Sequence, residues 1–174
     1  MPDAFTGFLA APSVTSFLRL RDEVLAQPEF EFASDRLEEV LELVEAGQFA
    51  AVADKVAELM PDWLLSPRLH LIAARAAEQL GDADRAQFEH DVARACLQGL
   101  RDSGVGSRAS PYQVTHISDE YDLLTMLGKE FASQRQTSGT DGTFDVITCQ
   151  DDSEVWFDIT AGAVPPRSRD PLAA

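Results

Sequence analysis

The first two thirds of the chain carry apolar residues at the three- and four-residue spacing of amphipathic helices. One such stripe consists of Leu37, Val40, Leu41 and Val44, and it stops at Gly47. Apolar positions repeated at i, i+3, i+4 and i+7 place one helix face against a core. Together with capping and breaking residues, this spacing predicts five helices in a region spanning residues 13–103, at about 14–27, 34–46, 49–60, 67–80 and 83–102.

The predicted helix ends rest on local chemistry. Ser13 has the side chain of an N-cap, and Ser66-Pro67 combines an N-cap with a proline at the first helical position. Gly47 and Gly81 supply the left-handed residue that ends many helices. Residues 1–12 come before the first of these signals, and we expect them to form a flexible, poorly structured N-terminus.

After Gly106 the apolar spacing changes from helical to alternating. Alternation over residues 112–117, 143–149 and 154–160 predicts strands, and residues 131–137 form a further, polar candidate. Ser118 opens a short predicted helix that ends at Gly128. Residues 111–160 are therefore expected to form a small antiparallel sheet with one short helix, in which Asp151-Asp152 turns one hairpin. Residues 161–174 contain three prolines and are expected to be a disordered tail.

The helical region shows a weak internal repeat. Gly47 and Gly81 lie 34 residues apart (81 − 47), which is the tetratricopeptide period, and each separates two predicted helices. Ala86 and Ala93 fit the small positions of such a repeat, whereas the first copy has Val52 and Leu59 there. A generic antiparallel helical bundle is the alternative. The predicted fold class is α+β, mostly α, with tetratricopeptide-like hairpins preceding the small sheet.

Charge narrows the choice of partners. The chain has 30 acidic and 14 basic residues, for a net charge of −16. Such a chain repels phosphate backbones and anionic lipid surfaces, so we expect no nucleic-acid and no membrane partner. A protein partner should present a basic or mainly apolar surface. Cys96 and Cys149 make no disulfide framework, and the N-terminus lacks a signal-peptide pattern, so the expected location is the cytoplasm.

An ordered set of motifs runs from Leu69 to Thr160. In chain order these are Gly81-Asp82, Gly104-x-Gly106-Ser107, Pro111-Tyr112-x-Val114, Asp119-Glu120-Tyr121, Phe144-Asp145-Val146 and Val155-Trp156-Phe157-Asp158-Ile159. The set resembles the uncharacterised bacterial domain-of-unknown-function family 4919. The resemblance implies helical, tetratricopeptide-like hairpins followed by a β-rich segment, and it implies no activity.

Two groups of polar residues are candidate sites. Arg68, His70 and Arg75 lie on the first helix of the second hairpin, the side on which tetratricopeptide arrays bind peptides. The second group is His116, Asp119, Glu120 and Asp145. These residues would serve acid–base chemistry only if they converge, and the acids at 119 and 120 also suit a helix start.

No cofactor or metal is expected, because the three histidines lack metal-ligand spacing and no phosphate loop is present. The sequence therefore favours a non-catalytic protein–protein interaction or scaffold module that binds a protein or peptide. The rival hypothesis is a small hydrolase or ligand-binding protein with a site around His116, where the helices meet the sheet. A deep pocket holding His116 and two of the acids would favour that rival.

Overall fold

The computed structural model describes residues 2–28 and 30–162. These residues form seven helices and a four-stranded sheet, which confirms an α+β fold that is mostly α. In chain order the elements are α1 (Pro2–Ala10), α2 (Val14–Leu25), α3 (Arg36–Glu45), α4 (Phe49–Trp63), α5 (Pro67–Leu80), α6 (Ala83–Asp102), β1 (Tyr112–Gln113), α7 (Ile117–Met126), β2 (Phe131–Gly139), β3 (Gly142–Cys149) and β4 (Glu154–Asp158).

Local capping fixes the helix ends that the sequence predicts. The Ser13 side chain accepts a hydrogen bond from the backbone N–H of Ser16 at 3.2 Å, in a reciprocal capping box. The Ser66 side chain accepts one from the N–H of Leu69 at 3.3 Å. Gly81 ends α5 with φ of 81°, a left-handed conformation that costs glycine little.

The N-terminal segment departs from the expectation. Residues 1–12 are predicted to be poorly structured, yet Pro2–Ala10 forms α1. Phe8 on this helix is fully buried, and its ring lies 6.3 Å from that of Phe17 on α2. The burial of one aromatic side chain stabilises a segment whose own helix propensity is weak.

Helix α4 also runs further than predicted. The sequence places its end near Pro61, but the helix continues to Trp63. A proline in the last turn of a helix cannot donate the N–H that bonds to the preceding turn, so this continuation needs a compensating contact. Trp63 is 2% exposed, and its burial favours the extra turn.

The sheet is mixed, not antiparallel as the sequence predicts. Its strand order is β1–β4–β3–β2, and β1 pairs with β4 in parallel, with Tyr112 opposite Phe157. The two other pairings are antiparallel, and the hairpin from β3 to β4 turns at Asp151-Asp152 as expected. Strand β1 ends at Gln113 instead of residue 117, because residues 115 and 116 begin the cap of α7.

The core has two parts that meet along α4. One part joins α1, α2, α6 and α7 to the inner face of the sheet, where Val155, Phe157 and Ile159 are 6%, 0% and 3% exposed. The other lies among α3, α4 and α5, and Met60 packs against both. In the first part, Gly99 lets α6 approach α2, since a Cβ atom there would lie 2.5 Å from Phe17 Cδ2.

Short turns join α3 to α4 and α5 to α6, so consecutive helices pack as neighbours. Their tetratricopeptide-like character stays a prediction, which superposing α3–α4 on α5–α6 would test. In the predicted disordered tail, residues 161 and 162 form a turn after β4. The rest of that tail, residues 163–174, lies outside the described residues.

Candidate functional site

The second predicted group gathers around the start of α7. Asp119 lies in the first turn, and its Oδ2 accepts hydrogen bonds from the backbone N–H groups of Thr115 and His116, both at 2.9 Å. An acid at this position satisfies donors that a helix start leaves open. Burial raises the pKa of Asp119 to about 7, against the lowering effect of these hydrogen bonds. Asp119 therefore serves the helix start.

His116 is enclosed, with 1% of its surface exposed. Its ring stacks on Trp63 at a centroid distance of 3.9 Å and an interplanar angle of 10°. The Nε2 atom lies 3.1 Å from the carbonyl oxygen of Asp62, so Nε2 donates. Burial lowers the pKa of His116 to about 4, despite hydrogen bonds that raise it. The imidazole is thus neutral at physiological pH and ties α7 to the end of α4.

Glu120 and Asp145 form a buried carboxyl pair between α7 and β3. They are 0% and 6% exposed, and the amide nitrogen of Gln134 bridges them at 3.2 Å and 2.9 Å. Burial, followed by repulsion from Asp145 and Asp119, raises the pKa of Glu120 to about 9. Burial also raises the pKa of Asp145, although its hydrogen bonds to Gln134 and Glu120 oppose this. Two neighbouring buried carboxyl groups disfavour a charge on both, and the pKa of about 9 assigns the proton to Glu120 at neutral pH.

This proton makes stability depend on pH. The pKa of Glu120 is about 9 in the folded chain against an ordinary value of 4.5, so between these values the folded state binds more protons than the unfolded state. The free energy of unfolding therefore falls as pH rises through this window, and Asp119 acts in the same direction up to about pH 7. His116, whose pKa is lowered to about 4, has the opposite effect below its ordinary value of 6.5. Among these three groups, only the acids act above pH 6.5.

We expect Glu120→Gln to reduce the loss of stability between pH 6.5 and pH 9. Glutamine keeps the size and hydrogen bonding of the side chain but cannot ionise in the buried site. Each pH unit within this window costs the parent about 1.4 kcal/mol of stability, and the variant should therefore retain roughly 3 kcal/mol that the parent loses by pH 9. Urea denaturation at both pH values measures it, with the exposed Glu130→Gln as the matched control. Equal pH slopes for parent and Glu120→Gln would contradict the assignment of the proton.

The structure does not assemble the four residues into an acid–base centre. It brings Asp119 to the backbone of His116 and Glu120 to Asp145. Within the described residues, no hydrogen bond joins the His116 ring to any of these three carboxyl groups. Gln134 is the residue that sequence reasoning missed, since a lone glutamine in a polar strand carries no signal of its own.

The group Arg68, His70 and Arg75 does not form one peptide-binding face. His70 is 2% exposed, with Nδ1 at 2.6 Å from Glu89 and Nε2 at 3.0 Å from the carbonyl oxygen of Leu64. Arg68 pairs with Asp122 at 2.5 Å, and Arg75 is exposed. The prediction fails for His70 because α5 packs between α4 and α6, which buries most of its circumference.

Two grooves adjoin the start of α7. The first, the α3–α7 groove, has a volume of about 440 Å³. Its lining is mainly apolar and aromatic, with acids at one end: Phe32, Ala33, Ser34, Asp35, Leu37, Glu38, Leu41, Trp63, Arg68, His116, Ile117, Ser118 and Tyr121. The volume lies within the usual range for ligand sites.

The second groove, the hairpin groove, lies beside the β2–β3 hairpin and has a volume of about 960 Å³. It shares Phe32, Ala33 and Ile117 with the α3–α7 groove, so the two grooves meet there. Its other lining residues come from the hairpin and from the turn after β4: Gln136, Ser138, Gly139, Thr140, Gly142, Thr143, Asp145, Ile159, Thr160 and Gly162.

Comparison with protein-family models, with curated proteins and with solved structures gives no match. Within residues 2–28 and 30–162, no group of three or more histidine, cysteine or acidic residues is placed to hold a metal ion. None of the helices in this part of the chain combines the length and the apolar character needed to cross a membrane.

Proposed function

We propose that this protein is a non-catalytic interaction module whose α3–α7 groove binds an apolar segment of another protein. The observation that carries the proposal is the composition of the groove. Leu37 and Trp63 form buried parts of its lining, while Leu41 is 38% exposed on a helix that is otherwise amphipathic. Exposed apolar surface rimmed by polar residues is typical of protein-binding sites.

The negative charge of the groove indicates which kind of partner segment fits it. Asp35 and Glu38 are exposed at one end of the groove. The one basic side chain in the lining, Arg68, is already paired with Asp122. The groove thus adds local acidity to a chain of net charge −16. A partner segment with apolar side chains and flanking lysine or arginine residues complements both features.

A photo-crosslinking experiment tests the groove. We expect a benzoylphenylalanine at position 41 to capture a partner in the native cell, because Leu41 borders the groove. The same residue at position 71 is the matched control, since Leu71 is 49% exposed on α5, outside the groove lining. Replacing Leu41 with Asp should then weaken binding of the captured partner roughly tenfold, as expected for a residue of appreciable binding energy.

Two outcomes would contradict this proposal. Capture at position 71 that equals capture at position 41 would show that the groove has no preference for partners. A captured partner whose association rate does not fall between low and physiological salt would contradict the role of the acidic end.

A small ligand is the second candidate occupant of the same groove. The observation in its favour is Ser118, whose buried Oγ has no hydrogen-bond partner among the described residues and which belongs to the lining. A hydroxyl in that state can bind a polar ligand atom. The enclosure of His116 disfavours a hydrolase, because a base must reach the proton that it removes.

Three further features of the proposal rest on the sequence. The resemblance to domain-of-unknown-function family 4919 is supported by the position of its motifs, since Gly81 caps α5, Asp119-Glu120 open α7 and Val155-Trp156-Phe157 lie in β4. Tetratricopeptide-like hairpins are supported by the order of the helix pairs. A cytoplasmic location is supported by Cys96 and Cys149, which are unpaired and buried.

A further inference from the structure

Strand β2 forms one edge of the sheet. It is nine residues long, and its one neighbour among the described residues is β3. Every residue of the strand is exposed except Thr137, which is intermediate. An edge strand presents a row of backbone N–H and C=O groups that can pair with a further strand.

The hydrogen bonds of β3 show which residues of β2 direct their backbone groups away from the sheet. The carbonyl oxygen of Thr143 accepts from Ile159 N at 3.0 Å, and Thr143 N donates to Thr160 Oγ1 at 3.0 Å. The backbone of Thr143 therefore points toward the β4 side of the sheet. Since backbone direction alternates along a strand, the backbone groups of Phe144 and Val146 point toward β2.

The register then defines the free edge. Phe144 and Val146 lie opposite Thr137 and Arg135, so these two residues direct their backbone groups inward to β3. The residues between and beside them face outward. The open edge thus presents the N–H and C=O groups of Gln134, Gln136 and Ser138.

This edge carries little of the protection that edge strands usually have. The strand contains no proline, and Arg135 is its one charged residue. Arg135 lies over the ring of Trp156 and pairs with Glu154 at 2.8 Å, so its charge is engaged across the sheet. Prolines and free charges are the common means of blocking strand addition.

A cavity lies beneath the edge. Gln136 and Ser138 line the hairpin groove of about 960 Å³, together with the apolar Phe32, Ile117 and Ile159 and the acidic Asp145. A strand added to β2 would direct every second side chain toward this groove. Main-chain hydrogen bonds and pockets for alternate side chains together are the means by which sheet edges recognise peptides.

The charge of the site selects the occupant. Asp145 lies at the groove, Asp141 in the turn beside the strand is paired with Arg108 at 3.4 Å, and the chain as a whole carries a net charge of −16. A second copy of this chain would bring a further charge of −16 to the same edge, which opposes self-pairing. We propose that an extended, basic segment of another protein adds to β2 as a fifth strand and places side chains in the hairpin groove.

This inference goes beyond the proposed function, since it names a second kind of segment that the chain binds. It uses a different surface from the α3–α7 groove. The experiment below reports which surface a peptide occupies, so either proposal can fail without the other.

A displayed library of random dodecapeptides, selected against the full chain, supplies the probe. The enriched peptides should be rich in lysine and arginine, and binding should slow hydrogen exchange at the amides of Gln134, Gln136 and Ser138. In the free chain these amides should exchange fast. Gln136→Pro removes one outward N–H and leaves the bonds between β2 and β3 intact, whereas Gln136→Ala keeps it. We expect roughly tenfold weaker binding for the proline variant than for the alanine variant, because the two differ in the outward N–H.

Ser138→Pro and Ser138→Ala repeat the comparison at the next outward position, and circular dichroism checks that each variant is folded. Slow exchange at the three amides in the free chain would overturn the inference, because the edge would already be covered. Enriched peptides that protect α3 and α7 instead would overturn it while leaving the proposed function intact. A library without any enriched peptide would also overturn it, while crosslinking at position 41 remains the test of the α3–α7 groove.

Discussion

Replacing Phe157 with alanine should lower the free energy of unfolding by about 3–5 kcal/mol. Phe157 lies in the central strand β4, is fully buried, and has its ring 5.9 Å from that of Tyr112. Its side chain fills the part of the core in which the sheet contacts the helices. Truncation would remove the transfer free energy of the ring and leave a cavity among residues that cannot close it. Reversible urea denaturation followed by circular dichroism measures the loss.

Phe131→Ala is the matched control for this measurement. Phe131 belongs to the same sheet but is 44% exposed, and its ring contacts only that of Tyr121 among the described aromatic pairs. Its replacement should cost less than about 1 kcal/mol. A loss below about 1 kcal/mol for Phe157→Ala itself would show that the inner face of β4 is not part of the core.

Replacing His70 with alanine should also destabilise the chain by about 3–5 kcal/mol. Glu89, which is fully buried, would lose the side chain that its carboxylate contacts at 2.6 Å. Burial alone would raise the pKa of Glu89. The hydrogen bond and charge of His70, together with Arg85, outweigh burial, so the pKa lies below its ordinary value. The carboxylate is therefore charged in the fold and would remain buried with Arg85 alone. Chemical denaturation of the variant at neutral pH measures the cost.

Arg75→Ala is the control for placing an alanine on α5. Arg75 lies on α5 as His70 does, but it is exposed, and its replacement should change stability by less than about 0.5 kcal/mol. A stable His70→Ala variant that has lost a peptide ligand would instead restore the sequence-based hypothesis of a binding role for His70.

The sequence predicts the helices well because their signals are local. Ser13, Ser66-Pro67 and Gly81 act through hydrogen bonds and backbone angles within a few residues, so the predicted and observed ends agree closely. A helix at α1 could have been predicted in the same way, since Phe5, Phe8 and Leu9 have helical spacing. Its formation depends on Phe17, which lies in another helix and gives no sign of the contact in the sequence.

The errors in the sheet have a non-local cause. The parallel pairing of β1 with β4 joins residues 112 and 157, and no turn signal connects them. The alternation at residues 112–117 continues through His116, yet Asp119 binds the N–H groups of Thr115 and His116 and so starts a helix in their place. A short-range capping interaction here outweighs strand propensity.

The arrangement of the candidate site residues could not be predicted from the sequence. The sequence leaves open whether the acids converge, and in the structure Gln134 bridges Glu120 and Asp145 while the His116 ring is hydrogen bonded to neither. The roles of Trp63 and Gln134 depend on distances across the fold, which spacing along the chain does not encode. The place of His70 on the first helix of the second hairpin predicts a binding surface, and nothing in that spacing indicates its contact with Glu89 on the next helix.

The wide spacing of core residues along the sequence also affects how the chain folds during synthesis. The cluster that buries Phe8 and Phe17 includes Leu100 on α6 and Phe157 on β4. On a ribosome adding about 5–20 residues per second, β4 is synthesised roughly 7–27 s after the end of α2. The first two helices must wait that long for their complete set of contacts, whereas α3, α4 and α5 pack on one another within their own stretch of chain. A nascent chain should therefore bury the α3–α5 cluster first, while Phe8 and Phe17 stay without their full set of contacts until β4 has been synthesised.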